Sequence, residues 1–285
     1  MESPLIAGNR TVEDILREHL KEQRDAAAKP APRARGNPPP PPPPRAGTPA
    51  VTSLADYIKL ENISCVDADG NEFERYDTLY VAKDIIRKPD KNQVEKTLYQ
   101  WAVYFEGEGL FLPSFALSCA VVAALYQQKS NPEIEKVLQQ YKNKGNGTGY
   151  QAQNTILDYA REEIVHYPTA GDVTQSAAVN VSRPRTALSF SKVQLHDSLS
   201  ADALRDHASM RYVKQLTGLP NPSILVDIGT YFGKPANIWF PWSGQNSSAQ
   251  ADKRAAWLGC VSASFDLDAN SNLDDDDAAR GVHGI

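Results

Sequence analysis

The chain has 285 residues, with 30 basic and 35 acidic side chains for a formal net charge of −5, and 41% hydrophobic residues, enough for one core of ordinary size or two small ones. That composition excludes a collagen-like chain, a disulfide miniprotein and a chain disordered throughout. Eleven of the 20 prolines fall in residues 1–50, so the sequence divides into a proline-rich arm (1–50), a globular body (51–268) and an acidic tail (269–285).

The opening MESPLIAGNR has no basic stretch followed by an apolar one, and no run approaches the roughly 18 apolar residues of a membrane span. A soluble intracellular protein without membrane contact is expected. Within residues 10–28, Thr11 and Asp14 have capping-box spacing, and Val12, Ile15, Leu16 and Leu20 form one apolar stripe. This pattern predicts a short amphipathic helix, folded back on the body or acting as a docking arm for a neighbouring chain. Residues 29–50 carry Lys29, Arg33, Arg35 and Arg45 with no acid, and the run from Pro38 to Pro44 holds them extended as a stiff linker. A PxxP ligand for an SH3-type groove is the alternative, but that match is automatic inside a proline run.

The body opens with strand-like pieces over residues 57–87 around the DADGN turn. From Asn92 the period changes: Val94, Leu98, Trp101, Ala102 and Phe105 predict a helix that EGEG ends. Pro113 and Ser114 then start FALSCAVVAALY, about 12 residues apolar on every side, which predicts a buried central helix. Asn131 and Pro132 start another helix, with Ile134, Val137, Leu138 and Tyr141 on one face. Ile156, Leu157, Ala160, Ile164 and Val165 predict a further helix over 151–166, residues 168–195 read as irregular, and Ser200 caps a helix to Thr217 with Gly218 at its C-terminus. The expected fold is therefore mainly α, a helical bundle with minor β at its N-terminal edge and disordered N- and C-terminal arms.

Residues suited to catalysis are sparse. His19, His166, His196, His207 and His283 are scattered, with no HExxH, no GxSxG elbow, no Walker loop and no dinucleotide fingerprint. GNGTGY shares only glycine content with a phosphate cradle and reads as a turn. Cys65, Cys119 and Cys260 have no ligand spacing and read as buried or incidental thiols. DLDANSNLDDDD places Asp266, Asp268, Asn270, Asn272 and Asp277 at calcium-loop positions, but Ser271 stands where the turn needs glycine. No metal, no cofactor and no enzymatic activity are expected. More telling is the C-terminal third, where Tyr212, Tyr231, Phe232, Trp239, Phe240, Trp242 and Trp257 interleave with Arg205, Arg211, Lys214, Lys234, Lys253 and Arg254. Single-stranded nucleic acid is bound by such mixtures, in which cations track phosphates and rings stack on bases, although the same rings also serve as core.

Three blocks in order then resemble the coat-protein core of flexible filamentous plant RNA viruses, the potexvirus and carlavirus group. YQWAVYFEGEGLFLPSFALSCAVVAALYQ resembles that family's aromatic helix, Glu-Gly turn and apolar helix. ADALRDHASMRYV with GKPANIW, and then SASFDLD, resemble its Arg-containing helix, its Pro-Pro-Ala-Asn-Trp and its Phe-Asp block. The likeness covers roughly residues 92–128 and 200–268, with Lys234 in place of the first proline and Ile238 inserted before Trp239. In that family an Arg of the helix pairs with the Asp of Phe-Asp inside the RNA-binding core. The resemblance assigns Asp266 to the pair and leaves Arg205 and Arg211 both open as its partner.

The resemblance implies a viral coat protein that polymerises helically around single-stranded genomic RNA, located in the virion and the host cytoplasm. Its RNA contacts would be Arg205 or Arg211, Lys214, Lys253 and Arg254, with Arg183 and Arg185 as further candidates. Its self-association would run through the arm. Two other classes remain open: an RNA-coating protein without ordered helical particles, and a cellular scaffold whose polyproline binds SH3 or WW modules.

Overall fold

The computed structural model describes residues 5–6, 10–11, 54–85, 97–142, 150–169, 171–173, 183–191, 199–239, 253–260, 263–271, 273 and 278–284. Of these about 34% are helical and 35% lie in strands, in two main sheets, of which the larger curls into a half-barrel, and one short two-stranded pair. This corrects the mainly α-helical bundle expected from the sequence. Near the N-terminus, β1 (Leu5–Ile6) pairs antiparallel with β2 (Arg10–Thr11). The docking stripe Val12, Ile15, Leu16 and Leu20 and the linker 29–50 lie outside the described residues.

The DADGN segment folds as expected into a hairpin of β3 (Tyr57–Val66) and β4 (Glu72–Ala82). Its turn is built by Asp67, whose Oδ1 accepts the N–H groups of Asp69 and Asn71, and by Gly70 at φ +87°, a conformation open to glycine. Helix α1 (Leu98–Gly107) starts at a capping box formed by Thr97 and Gln100 and buries Leu98, Trp101, Ala102 and Phe105. Helix α2 (Phe115–Gln127) is the apolar segment, capped by Ser114, and ten of its 13 residues are buried. It packs on β3 of the small sheet and on strands of the large one, so apolar residues on all sides meet a partner on all sides. Helix α3 (Pro132–Lys142) follows and buries the predicted stripe of Ile134, Val137, Leu138 and Tyr141.

The large sheet has the strand order β7-β6-β5-β9-β10-β8. Its strands are β5 (Tyr150–Asp158), β6 (Glu163–His166), β7 (Thr186–Ser189), β8 (Ala236–Trp239), β9 (Lys253–Cys260) and β10 (Phe265–Ser271). The helix expected over 151–166 is thus a β-hairpin. Its centre is rich in branched residues, Thr155, Ile156, Ile164 and Val165, and Glu162 turns the chain at φ +55°. Strand β5 is buried on both faces from Gln151 to Asp158, so the period of 2 that marks a strand is missing and apolar positions by chance match a helical stripe. The helix expected from Ser200 begins later. A 3₁₀ turn over Ala203–Arg205 precedes α4 (His207–Thr217), which Asp206 caps and Gly218 closes at φ +64°. A further helix, α5 (Ile224–Phe232), leads into β8.

The chain end is also corrected, because residues 278–284 return into the body. Strand β11 (Val282–Gly284) pairs with β4, and Val282 and Phe111 exchange backbone hydrogen bonds. Arg280, 2% exposed, donates to the carbonyls of Ala82 and Lys83 and to Gln140. The acidic run made this stretch look solvated, whereas the apolar Ala278, Ala279 and Val282 that follow it are core.

Two outcomes are expected. Leu117→Ala, in the middle of the core, should cost about 2–5 kcal/mol in urea denaturation. A chain ending at Asp277 should melt about 5 °C lower or more, because it loses β11 and the Arg280 contacts.

Candidate nucleic-acid interface

The basic residues singled out from the sequence separate into three places. Arg205 and Arg211 lie on the exposed face of the 3₁₀ turn and α4. Arg205 pairs with Asp202 at 2.7 Å, and Arg211 forms a fork to Asp69 in the β3–β4 turn at 2.6 and 3.0 Å. Lys214 follows one turn after Arg211, half-buried. Arg183 sits elsewhere, its guanidinium carbon 3.6 Å over the Phe111 ring.

The pair expected between Asp266 and Arg205 or Arg211 is not formed. Strand β10 runs between β8 and β9, which places Asp266 inside the sheet at 1% exposure, while both arginines are at the surface. The Asp266 carboxylate accepts instead from Tyr150 Oη at 2.6 Å, and its Oδ1 is buried with no hydrogen-bond partner. Of the calcium-loop match, Asp266–Ser271 is extended strand, and Asn272 and Asp277 lie outside the described residues; among the described residues no group of three or more His, Cys, Asp or Glu is placed to hold a metal ion. Two of the segments compared with the coat family are neighbours: Ala236–Trp239 and Phe265–Asp268 are adjacent parallel strands.

The third place brings two candidates, Arg185 and Lys253, together beside the β5–β6 hairpin. Strand register puts Lys253 opposite Asp158 at the β5–β6 turn and Arg254, on the other face of the strand, opposite Leu157; β7 begins next to Arg185 at the far end of the hairpin, with Thr186 opposite His166, and the Arg185 side chain reaches back along it. Arg185 grips Asp172 through a fork, Nη2 to Oδ1 at 2.7 Å and Nε to Oδ2 at 2.8 Å, and reaches Glu163 at 3.7 Å. Lys253 lies 3.7 Å from Asp158 and donates to the carbonyl of Asp172. Arg161 is 3.8 Å from the same Asp158. The two acids are nearly enclosed, with side chains 4% and 7% exposed, whereas Arg185, Lys253 and Arg161 are 34%, 29% and 58% exposed. Buried carboxylates therefore hold cations whose outer faces reach solvent.

Burial would raise the Asp172 carboxyl, and the Arg185 fork together with the Thr169 donors outweighs it, holding the group at about 2. Sequence reasoning missed Asp158, Arg161, Glu163 and Asp172. The first three lay in the predicted helix, and Asp172 lay in a stretch read as irregular. The one local signal for Asp172 was the Thr169–Asp172 spacing, which closes as a turn with Thr169 N and Oγ1 both donating to Asp172.

Behind this edge lies His166, fully buried and stacked on Phe73. Its Nε2 faces the Gln215 carbonyl, which can only accept, so Nε2 carries the proton and Nδ1 accepts from Thr155 at 2.8 Å. Among the described residues, no helix is long and apolar enough to cross a membrane. No known protein family, curated protein or solved structure matches the chain.

Burial lowers the His166 pKa to about 4. Between pH 6.5 and 4 the unfolded chain then binds the proton that the folded chain refuses, so stability falls as pH falls through that window, by at most about 3 kcal/mol from this group. The imidazole carbon-bound proton resonances of His166 should hold their neutral positions from pH 7 to 5 in NMR. Titration of this ring near pH 6.5 in the folded protein would contradict its enclosure.

Proposed function

We propose that this chain coats single-stranded RNA as an assembly of many copies, in the manner of a viral coat protein. The observation that carries the reading is the Arg185–Asp172 fork with Lys253 and Arg161 beside it. An Arg fixed from behind by a carboxylate is preorganised for phosphate on its outer face. The resemblance placed such a pair at Asp266; here the arrangement is found at Asp172. The unopposed cations of residues 29–50 and the order of the three sequence blocks support the same reading.

A net charge of −5 does not oppose it. Binding along a polymer needs a few cations in register on each copy, and many copies multiply a weak site. The docking arm, with its stripe of Val12, Ile15, Leu16 and Leu20, would join one copy to the next by a heterologous contact, which propagates rather than closes. The mixed α/β body departs from the helical core of the flexible-filament family. That departure favours, as a second reading, RNA coated without an ordered helix.

The test is fluorescence anisotropy on a labelled single-stranded RNA across a salt series. The wild-type chain should bind at low salt, and Arg185→Gln with Lys253→Gln should weaken it about 10-fold or more and lower the salt slope by about 1.4, roughly 0.7 per lost phosphate contact. Absence of RNA binding by the wild-type chain overturns the function. Electron microscopy of the complex separates regular filaments from beaded, irregular particles. Deleting residues 1–50 should leave a folded body that no longer forms long assemblies.

A further inference from the structure

Between β4, β7 and the end of β6 lies a cavity of about 210 Å³, lined by Phe73, Glu74, Arg75, Tyr76, Tyr167, Arg183, Pro184 and Thr186. At about 30 Å³ per water in the liquid, it is far too large for one or two ordered waters. It is also smaller than the roughly 300–1,000 Å³ of clefts that enclose drug-sized ligands. A single small ring system fits that range.

The polar groups of the cavity are unevenly satisfied. The Glu74 carboxylate accepts from Tyr167 Oη at 2.5 Å, Tyr76 Oη at 2.7 Å and Ser114 Oγ at 3.3 Å. The Arg183 guanidinium carbon lies 3.6 Å from the Phe111 ring centroid and 5.4 Å from that of Tyr76, and its Nε is buried with no hydrogen-bond partner. A buried, unpartnered N–H on a guanidinium set against aromatic rings asks for an acceptor. The walls of aromatic ring ask for a flat face.

We propose that this cavity is a binding site for a small aromatic monocarboxylate, its ring among Phe73, Tyr76 and Tyr167 and its carboxylate on the Arg183 guanidinium. A carboxylate matches the planar fork of a guanidinium in two parallel hydrogen bonds. A cationic ligand would meet Arg183, and a phosphate dianion would face Glu74 with twice the repulsion. The site is separate from the Arg185 edge and independent of RNA binding.

Glu74 sets a further property of the site. Burial raises its pKa, and the hydroxyls of Tyr167, Tyr76 and Ser114 and the charge of Arg183 only partly oppose this; Cys65 faces it from β3 as a thiol that burial also keeps neutral. The ionised Glu74 competes with the ligand for Arg183, and the protonated form does not. Ligand affinity should therefore rise as pH falls.

Isothermal titration of the full chain with sodium benzoate, and with benzyl alcohol as the uncharged control, tests the site. Benzoate should bind at least 10-fold more tightly than the alcohol, with the difference growing at lower pH. Arg183→Gln should bring benzoate down to the level of the alcohol. Thr186→Phe, which fills the cavity from β7, should remove both while the melting temperature and RNA binding hold. N-acetylphenylalanine, which carries its carboxylate as a chain end does, binds as well as benzoate if the natural ligand is a peptide terminus and more weakly if it is a free acid. No binding, benzoate no better than the alcohol, or benzoate binding unaffected by both variants overturns the proposal.

Discussion

The first turn of α2 must satisfy its backbone N–H groups inside an apolar core, far from water, and the way it does so ties the molecule together. Ser114 Oγ accepts from Leu117 N–H and donates to Glu74 of β4. The Phe115 N–H goes to Thr155 of β5, whose hydroxyl meets His166 of β6, which in turn donates to the Gln215 carbonyl of α4. The Ser114 N–H goes to Tyr167, and the Pro113 carbonyl accepts from Asn154. The Leu117 N–H is thus answered by the helix's own cap, and the Ser114 and Phe115 N–H groups by two separate residues of the large sheet's hairpin. The two sheets are held in fixed relation because both supply acceptors to the same turn.

That constraint explains why the chain tolerates so polar a set of groups beside its most apolar helix. Glu74, Thr155, His166 and Tyr167 are not isolated polar side chains in the core; they form a connected set anchored on α2. A connected set of this kind is specific, since shifting β5 by one residue would send Thr155 to the opposite face and leave the Phe115 N–H without its partner. It also accounts for the cavity beside Glu74. The three hydroxyls converge on the carboxylate from β4, α2 and the end of β6, and ring-bearing residues of those elements cannot all close on the same point.

The sequence made α2 legible because Ser114 and the twelve apolar residues after it state a capped, buried helix without help from the rest of the chain. The β3–β4 hairpin was legible for the same local reason, with Asp67 and Gly70 dictating the turn. Strand β5 was not, because a strand buried on both faces loses the alternation that identifies it, and Gln151, Gln153 and Asn154 in its interior look like surface. The six-stranded sheet was hidden for a further reason. Its pairs β5–β9 and β8–β10 join segments far apart in the chain, and nothing local records such pairing. The candidate site inherits this. Lys253 and Arg185 were visible as cations, but Asp158 and Asp172, which make them a site, come together only through the sheet.

The same geometry shows how an acidic chain can present cations to an anionic polymer. Arg205 with Asp202 and Arg211 with Asp69 are exposed pairs, and such pairs contribute little in water. A phosphate can replace the carboxylate in them at little cost, so their acids cancel charge on paper without fixing the cations. Asp172 and Asp158 differ, because they are enclosed and cannot be displaced without stranding a buried charge. They hold Arg185, Lys253 and Arg161 close together with their outer faces toward solvent, where Glu163 is the one acid of the cluster that is also partly exposed. Formal charge counts the buried acids and the exposed cations alike, but an approaching polyanion meets mainly the cations. Under the proposed reading, the sign of the surface at that cluster matters more than the sign of the whole chain.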